Sequence, residues 1–144
     1  MRRTDQRHAA VFVSYQRDVT GAPIEELVDR PAAGSAGGTM EERGSATAAV
    51  TDFARELIEG VEEHRDELDE LIEDQAIGWR VERIAPLERA ILRVALYEIL
   101  YRDDVPDEVA IDEAVETAKL YCGTEAPGFV NGILGGILRK VRDG

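Results

Sequence analysis

The stretch LERAILRVALYEILY, Leu87 to Tyr101, is apolar around most of a helical circumference. Such a helix has no broad face to give to water, so it must lie at the centre of a bundle or face a partner. Pro86 just ahead of it suits a first helical turn, and the run Asp103-Asp104-Val105-Pro106 breaks it. The neighbouring segments have to supply its cover, and they are patterned to do so.

Residues 4–17 place Ala9, Phe12, Val13 and Gln16 at helical spacing, with Thr4 as the expected N-cap and Gly21 as the stop. Pro23 opens a short helix through Leu27 and Val28. Ser45 or Thr47 is positioned to cap a helix whose inner face is Val50, Phe53, Ala54, Leu57, Ile58 and Val61, with Gly60 inside or near its end. Leu68, Leu71, Ile72 and Gln75 then share one face of an otherwise acidic helix. Gly78 starts a new unit, in which Trp79 and Val81 precede Ile84. After the central helix, Asp107 to about Cys122 turns Val109, Ala110, Ala114, Val115, Ala118 and Tyr121 or Cys122 inward. Gly123 to Pro127 reads as a loop, and FVNGILGGILRKV closes the chain as a helix with cations near its C-terminus. No segment carries a strand pattern. The expectation is an all-α fold of about seven helices in two packed bundles, residues 1–77 and 78–144. Segment 31–44, with four glycines and a proline, reads as a flexible loop, because no strand precedes it and no GKS or GKT follows.

Composition narrows the function. The formal net charge is −13, which at first argues against a polyanionic partner. The charge is unevenly placed. Residues 21–76 hold sixteen acids and four arginines, whereas residues 1–20 hold four arginines and two aspartates. The acidic stretch lacks the spacing of a calcium-binding loop and reads as a solvated face. A single cysteine, Cys122, excludes an internal disulfide framework and a CxxC site. No apolar run reaches about 18 residues, and the basic start is not followed by an apolar leader, so a cytoplasmic protein without a membrane span is expected. His8 and His64 stand apart from other ligand types, and paired acids such as Asp112-Glu113 lack a burial signal. Neither catalysis, a metal nor a cofactor is expected.

Three features point to binding. Gly128, Gly132 and Gly136 recur every four residues in the last helix, although each glycine costs roughly 1 kcal/mol there. They mark either a tight helix crossing or, at Gly128, close approach of a ligand or an RNA backbone. Arg2, Arg3 and Arg7 form the one basic cluster not balanced within its own segment; Arg3 and Arg7 share a helical face and could each neutralise a phosphate. Phe129 is placed either to enter the core or to stack on an unpaired base.

Several segments together resemble the bacterial transcription antitermination factor NusB family. They are Gly78-Trp79, the run Pro86 to Glu98, Asp104-Val105-Pro106, Ile111 to Glu116 with Ala118-Lys119, and Pro127-Gly128-Phe129-Val130-Asn131-Gly132-Ile133-Leu134, with a looser match at Tyr15-Gln16. The resemblance implies a two-bundle helical fold without catalysis or cofactor. It implies binding to single-stranded boxA RNA of ribosomal RNA leaders together with the ribosomal protein NusE, and through other Nus factors an indirect link to RNA polymerase. The family also admits a homodimer. The RNA contacts it implies are Arg2, Arg3, Arg7, Tyr15, Lys119, Glu125, Phe129 and Asn131. The NusE-facing positions it implies are Glu88, Leu92, Arg93, Leu96 and Tyr97. The chain departs from the family by breaking the N-terminal arginine run with Thr4, Asp5 and Gln6, and by carrying Gly128 where many members have lysine. Both changes remove positive charge. An acidic, protein-binding helical scaffold that has lost RNA binding is therefore the alternative. The NusB-like domain of an RNA cytosine methyltransferase is a third reading, disfavoured because no βαβ pattern or catalytic cysteine pair is present.

Overall fold

The computed structural model describes residues 2–28 and 52–143. The glycine-rich segment 31–44, the caps expected at Ser45 or Thr47, and Val50 lie outside the described residues. The helices are α1 (Arg3–Thr20), α2 (Ile24–Val28), α3 (Asp52–Glu63), α4 (Arg65–Gln75), α5 (Pro86–Tyr101), α6 (Asp107–Tyr121) and α7 (Ala126–Asp143), with a 3₁₀ turn at Val81–Arg83. Among the described residues these are seven α-helices and no strands, as the periodicity predicts. None of them is long and apolar enough to cross a membrane.

α5 packs against α1, α3, α4, α6 and α7. Every residue from Ala90 to Ile99 is buried, which is the central position its apolar circumference demands. One continuous apolar cluster draws on α1 and α3 to α7, and so runs across residue 77. Leu57, Ile58, Leu68, Ile72, Leu92, Leu96 and Leu134 are fully buried in it. Full burial of a leucine side chain contributes about 1.5–3 kcal/mol, so this cluster dominates the favourable side of folding.

Local chemistry sets most boundaries where expected. Gly21 closes α1 in the left-handed region, φ 75°, and its N–H bonds the Arg17 carbonyl. Gly78, φ 86°, turns the chain after α4. Some details differ. The N-cap of α1 is Arg2, not Thr4; the Thr4 hydroxyl donates to Glu113 instead. α7 begins at Ala126, so Pro127 lies in its first turn rather than in a loop. Gln16 and Val109 are exposed rather than inward, and of Tyr121 and Cys122 it is Cys122 that packs against the core. Of the three in-line glycines only Gly136 is packed, with a Cβ there overlapping the Gln75 amide, whereas Gly128 and Gly132 face open space. The stripe is therefore not one tight crossing.

Charges occupy the seam between α1 and α5. α1 runs antiparallel to α5, so Arg7 meets Glu98 and Asp18 meets Arg89 and Arg93. Arg7 Nε donates to both Glu98 oxygens at 2.8 and 3.0 Å and its Nη1 to Glu113 at 3.0 Å. Arg93 donates to Asp69 at 2.7 and 3.0 Å and to Asp18 at 3.1 Å. Arg65 also pairs with Asp18. Burial pushes the Asp18 carboxyl up, but the Arg89 hydrogen bond and the charges of Arg93, Arg89 and Arg65 outweigh it and hold the group below its ordinary range. At Glu98 burial wins over Arg7, and the carboxyl lies above its ordinary range.

Candidate nucleic-acid interface

A groove of about 590 Å³ opens where the start of α5 meets the turn between α6 and α7. Its walls come from two chain segments. The first is the connection after α4. Gly78 reverses the backbone, and the Trp79 N–H bonds the Ala76 carbonyl at 2.9 Å. Val81 and Ile84 anchor the following 3₁₀ turn in the core, and the Val81 N–H donates to Glu73 at 2.7 Å. This anchoring leaves Ile77 88% and Trp79 55% exposed. The second segment is Gly123 to Ala126 with Phe129 of α7, whose ring is half-buried against the core.

The charges at this groove differ from those of the seam. Arg83 is exposed and makes no ion pair among the described residues. Glu88, in the first turn of α5, is half-buried, and burial alone pushes its carboxyl above the ordinary range. No hydrogen bond or ion pair compensates that burial among the described residues. The Cys122 thiol behind it is raised by burial and by the Glu88 charge. Glu125 is exposed at the opposite rim. Two ring faces, a free guanidinium and a free carboxylate therefore line one opening. That combination suits an unpaired base with its phosphate better than a purely apolar ligand.

The residues expected to contact RNA are distributed unevenly. Phe129 and Glu125 line the groove. Asn131 and Lys119 are exposed, with Lys119 3.4 Å from Glu116, and Tyr15 is half-buried against the core. Arg2 is exposed. Arg3 is exposed but paired with Asp104 at 3.0 Å, and its guanidinium lies 4.3 Å from the Phe53 ring centre. Arg102 also pairs with Asp104, and the two arginines push that carboxyl down to about 2. Arg7 is a correction: it is buried beneath Glu98 and Glu113, because the α1–α5 packing encloses it. Arg3 and Arg7 do share a face, but Arg3 sits beyond the C-terminal end of α5 while the groove sits at its N-terminal end. The helix between spans about 24 Å. Arg3, Arg7 and Phe129 are not brought together.

The expected NusE-facing set needs a larger correction. Leu92 and Leu96 are fully buried, Arg93 is 2% exposed and Tyr97 9%. Leu92 and Leu96 lie in the core and Arg93 in the ion network, while Tyr97 lines an opening with Arg55, Glu56 and Glu59. Glu88 is the most accessible of that set. Conversely, the groove depends on Trp79 and Arg83, which sequence reasoning did not select. The available signal was a tryptophan directly after a turn glycine, between two helices, with nothing apolar left for it to cover.

The chain is similar to known proteins along its whole length. Residues 4–139 match the model of the NusB family. The transcription antitermination protein NusB of Rubrobacter xylanophilus is 44% identical, with 100% of this chain and 98% of the relative covered. The solved structure of T. maritima NusB is 30% identical, has a TM-score of 0.76, and covers 97% of this chain and 92% of its own. A structure of antitermination factors NusB and NusE in complex with dsRNA shares the fold, with TM-score 0.77 at 23% identity and 96% of each chain covered. The chain belongs to the NusB family.

Proposed function

We propose that this chain is an RNA-binding transcription antitermination factor. It acts in the cytoplasm without catalysing a reaction, binds boxA-type single-stranded RNA of ribosomal RNA leaders together with a NusE-type protein, and helps RNA polymerase resist premature termination. Relatives named as transcription antitermination proteins over the full length support this reading. The observation that carries it to a site is the groove in which Trp79, Phe129 and Arg83, which has no ion pair among the described residues, meet. The rings stack on bases, and Arg83 neutralises a phosphate. Arg3 and Arg7, already neutralised by carboxylates, contribute little to affinity, so binding by this chain alone is weak.

Trp79 is the single tryptophan, so its emission reports on the groove directly. Titrating the chain with a boxA oligonucleotide, with and without a NusE-type protein and across a salt series, is expected to quench Trp79 and to give an affinity that falls with salt. RNA retention in neither condition, with unchanged emission, overturns the proposal and favours the protein-binding scaffold, a reading that the neutralised Arg3 and Arg7 would support.

A further inference from the structure

We propose that Asp104 sets the RNA affinity of this chain by competing with the phosphate backbone for Arg3. The first turn of α1 then carries a releasable guanidinium held by a built-in counter-anion. The inference rests on the RNA-binding reading and adds the residue that holds affinity down.

Where the start of α1 meets the end of α5, Arg3, Arg7 and Arg102 face four carboxylates, Glu56, Glu98, Asp104 and Glu113. The two arginines of α1 are held in different ways. Arg7 is 6% exposed, and its withdrawal would strand the buried Glu98 carboxylate without its cation. The Arg3 side chain is 46% exposed and that of Asp104 51%, and one Nη2–H···Oδ2 bond at 3.0 Å joins them. An exposed pair of this kind shifts an equilibrium by about fivefold at most. Arg102 makes Arg3 dispensable to Asp104, because its Nε and Nη2 donate to the two Asp104 oxygens at 3.0 and 2.8 Å. When Arg3 leaves, Asp104 keeps this bidentate cation and no charge is stranded. The Phe53 ring likewise keeps the Arg102 and Arg7 guanidiniums at 4.9 and 5.4 Å from its centre. Arg3 is therefore free to exchange carboxylate for phosphate, a geometry that suits its planar fork. Arg2, exposed and without an ion pair among the described residues, adds a second cation beside it. Removing Asp104 alone frees Arg3 while Arg102 stays on Glu56 at 2.7 Å and Arg7 on Glu98.

The test titrates an end-labelled boxA oligonucleotide with the full chain, with and without a NusE-type protein, and reads fluorescence anisotropy. Asp104→Asn is compared with Asp103→Asn, which removes the same charge from the adjacent exposed position. Asp104→Asn is expected to bind about two- to fivefold tighter than Asp103→Asn. In an Arg3→Ala background the two variants are expected to bind alike, because no released guanidinium is left for the phosphate. On the wild-type chain, NMR follows the Arg3 side-chain N–H signal, assigned by its loss in Arg3→Ala. Saturating RNA is expected to move that signal and to leave the Arg7 signal in place. A gain in Asp104→Asn no larger than that in Asp103→Asn overturns the proposal, and so does a gain that persists in Arg3→Ala. An Arg3 signal unmoved at saturation overturns it without relying on the folding of any position-104 variant. Failure of every variant and of the wild-type chain to bind RNA, including with the NusE-type protein present, overturns the parent reading instead.

Discussion

The seam between α1 and α5 and the groove at the start of α5 use the same residue types for opposite ends. In the seam, Arg7 is paired with Glu98 and Arg93 with Asp18; Arg7, Arg93 and Glu98 are buried and Asp18 is half-buried. In the groove, Arg83 and Glu88 have no such partners among the described residues. Both places hold arginine, acid and nearby rings, and both involve α5. A charge whose field is already cancelled by a neighbour holds the fold in register but offers little to a ligand. A charge left unpaired beside exposed rings is available to one. The acidity of the chain thus carries two meanings. Eleven carboxylates between Asp52 and Asp74 face mainly water or the seam, so they limit non-specific attraction to RNA without closing the groove.

That contrast can be broken at its strongest point first. Arg93→Ala takes from Asp69 its two hydrogen bonds and from Asp18 one of its three cations, and loss of about 1.5–3 kcal/mol is expected in urea unfolding. A loss no larger than that of an exposed arginine would remove the distinction between the two regions. Next in size, Gly60→Ala puts a Cβ into the Tyr97 ring, where α3 crosses α5. Destabilisation of about 1–3 kcal/mol is expected, measured by the same unfolding.

Acid sharpens the contrast further. Asp18 lies below its ordinary value of 3.8 in the folded chain. Its contribution is fully present above that value and is lost as pH falls through the lower folded one. Stability is therefore expected to drop below about pH 4 and to drop less in Asp18→Asn, which starts lower at neutral pH. A parallel acid profile for the two proteins would remove Asp18 from the account.

The smallest effect concerns the open side of α7. Gly132→Ala fills empty space in a helix, and a gain of about 0.5–1 kcal/mol is expected, seen as a rise in the thermal midpoint. A loss would show that the outer face of α7 is not free.

Much of this molecule is legible before any coordinates. The apolar circumference of Leu87 to Tyr101 requires the central position that α5 takes. Gly21, Gly78 and Pro86 mark the chain reversals and the helix start, because a left-handed turn or a first helical turn favours those residues. Phe129 and Glu125 are reached through the family resemblance and lie at the groove. Legibility fails where one helix presents several faces at once. Arg93 and Tyr97 look like surface residues by type, and Leu92 and Leu96 sit on a helix fit to face a partner, yet all four are enclosed. Burial on a helix covered on nearly every side depends on which neighbours arrive, and the residue's own type does not decide it.

By itself the sequence determined the helices and the order in which they follow. Helical hydrogen bonds close over four residues, and apolar spacing acts over a turn or two, so both are local. Only the tertiary structure decided which charges remain free. Arg7 meets Glu98 across 91 residues, and Arg93 meets Asp18 across 75, and no local pattern announces either pair. The choice of Arg83 and Glu88 as the available charges is what remains after those distant pairings have formed.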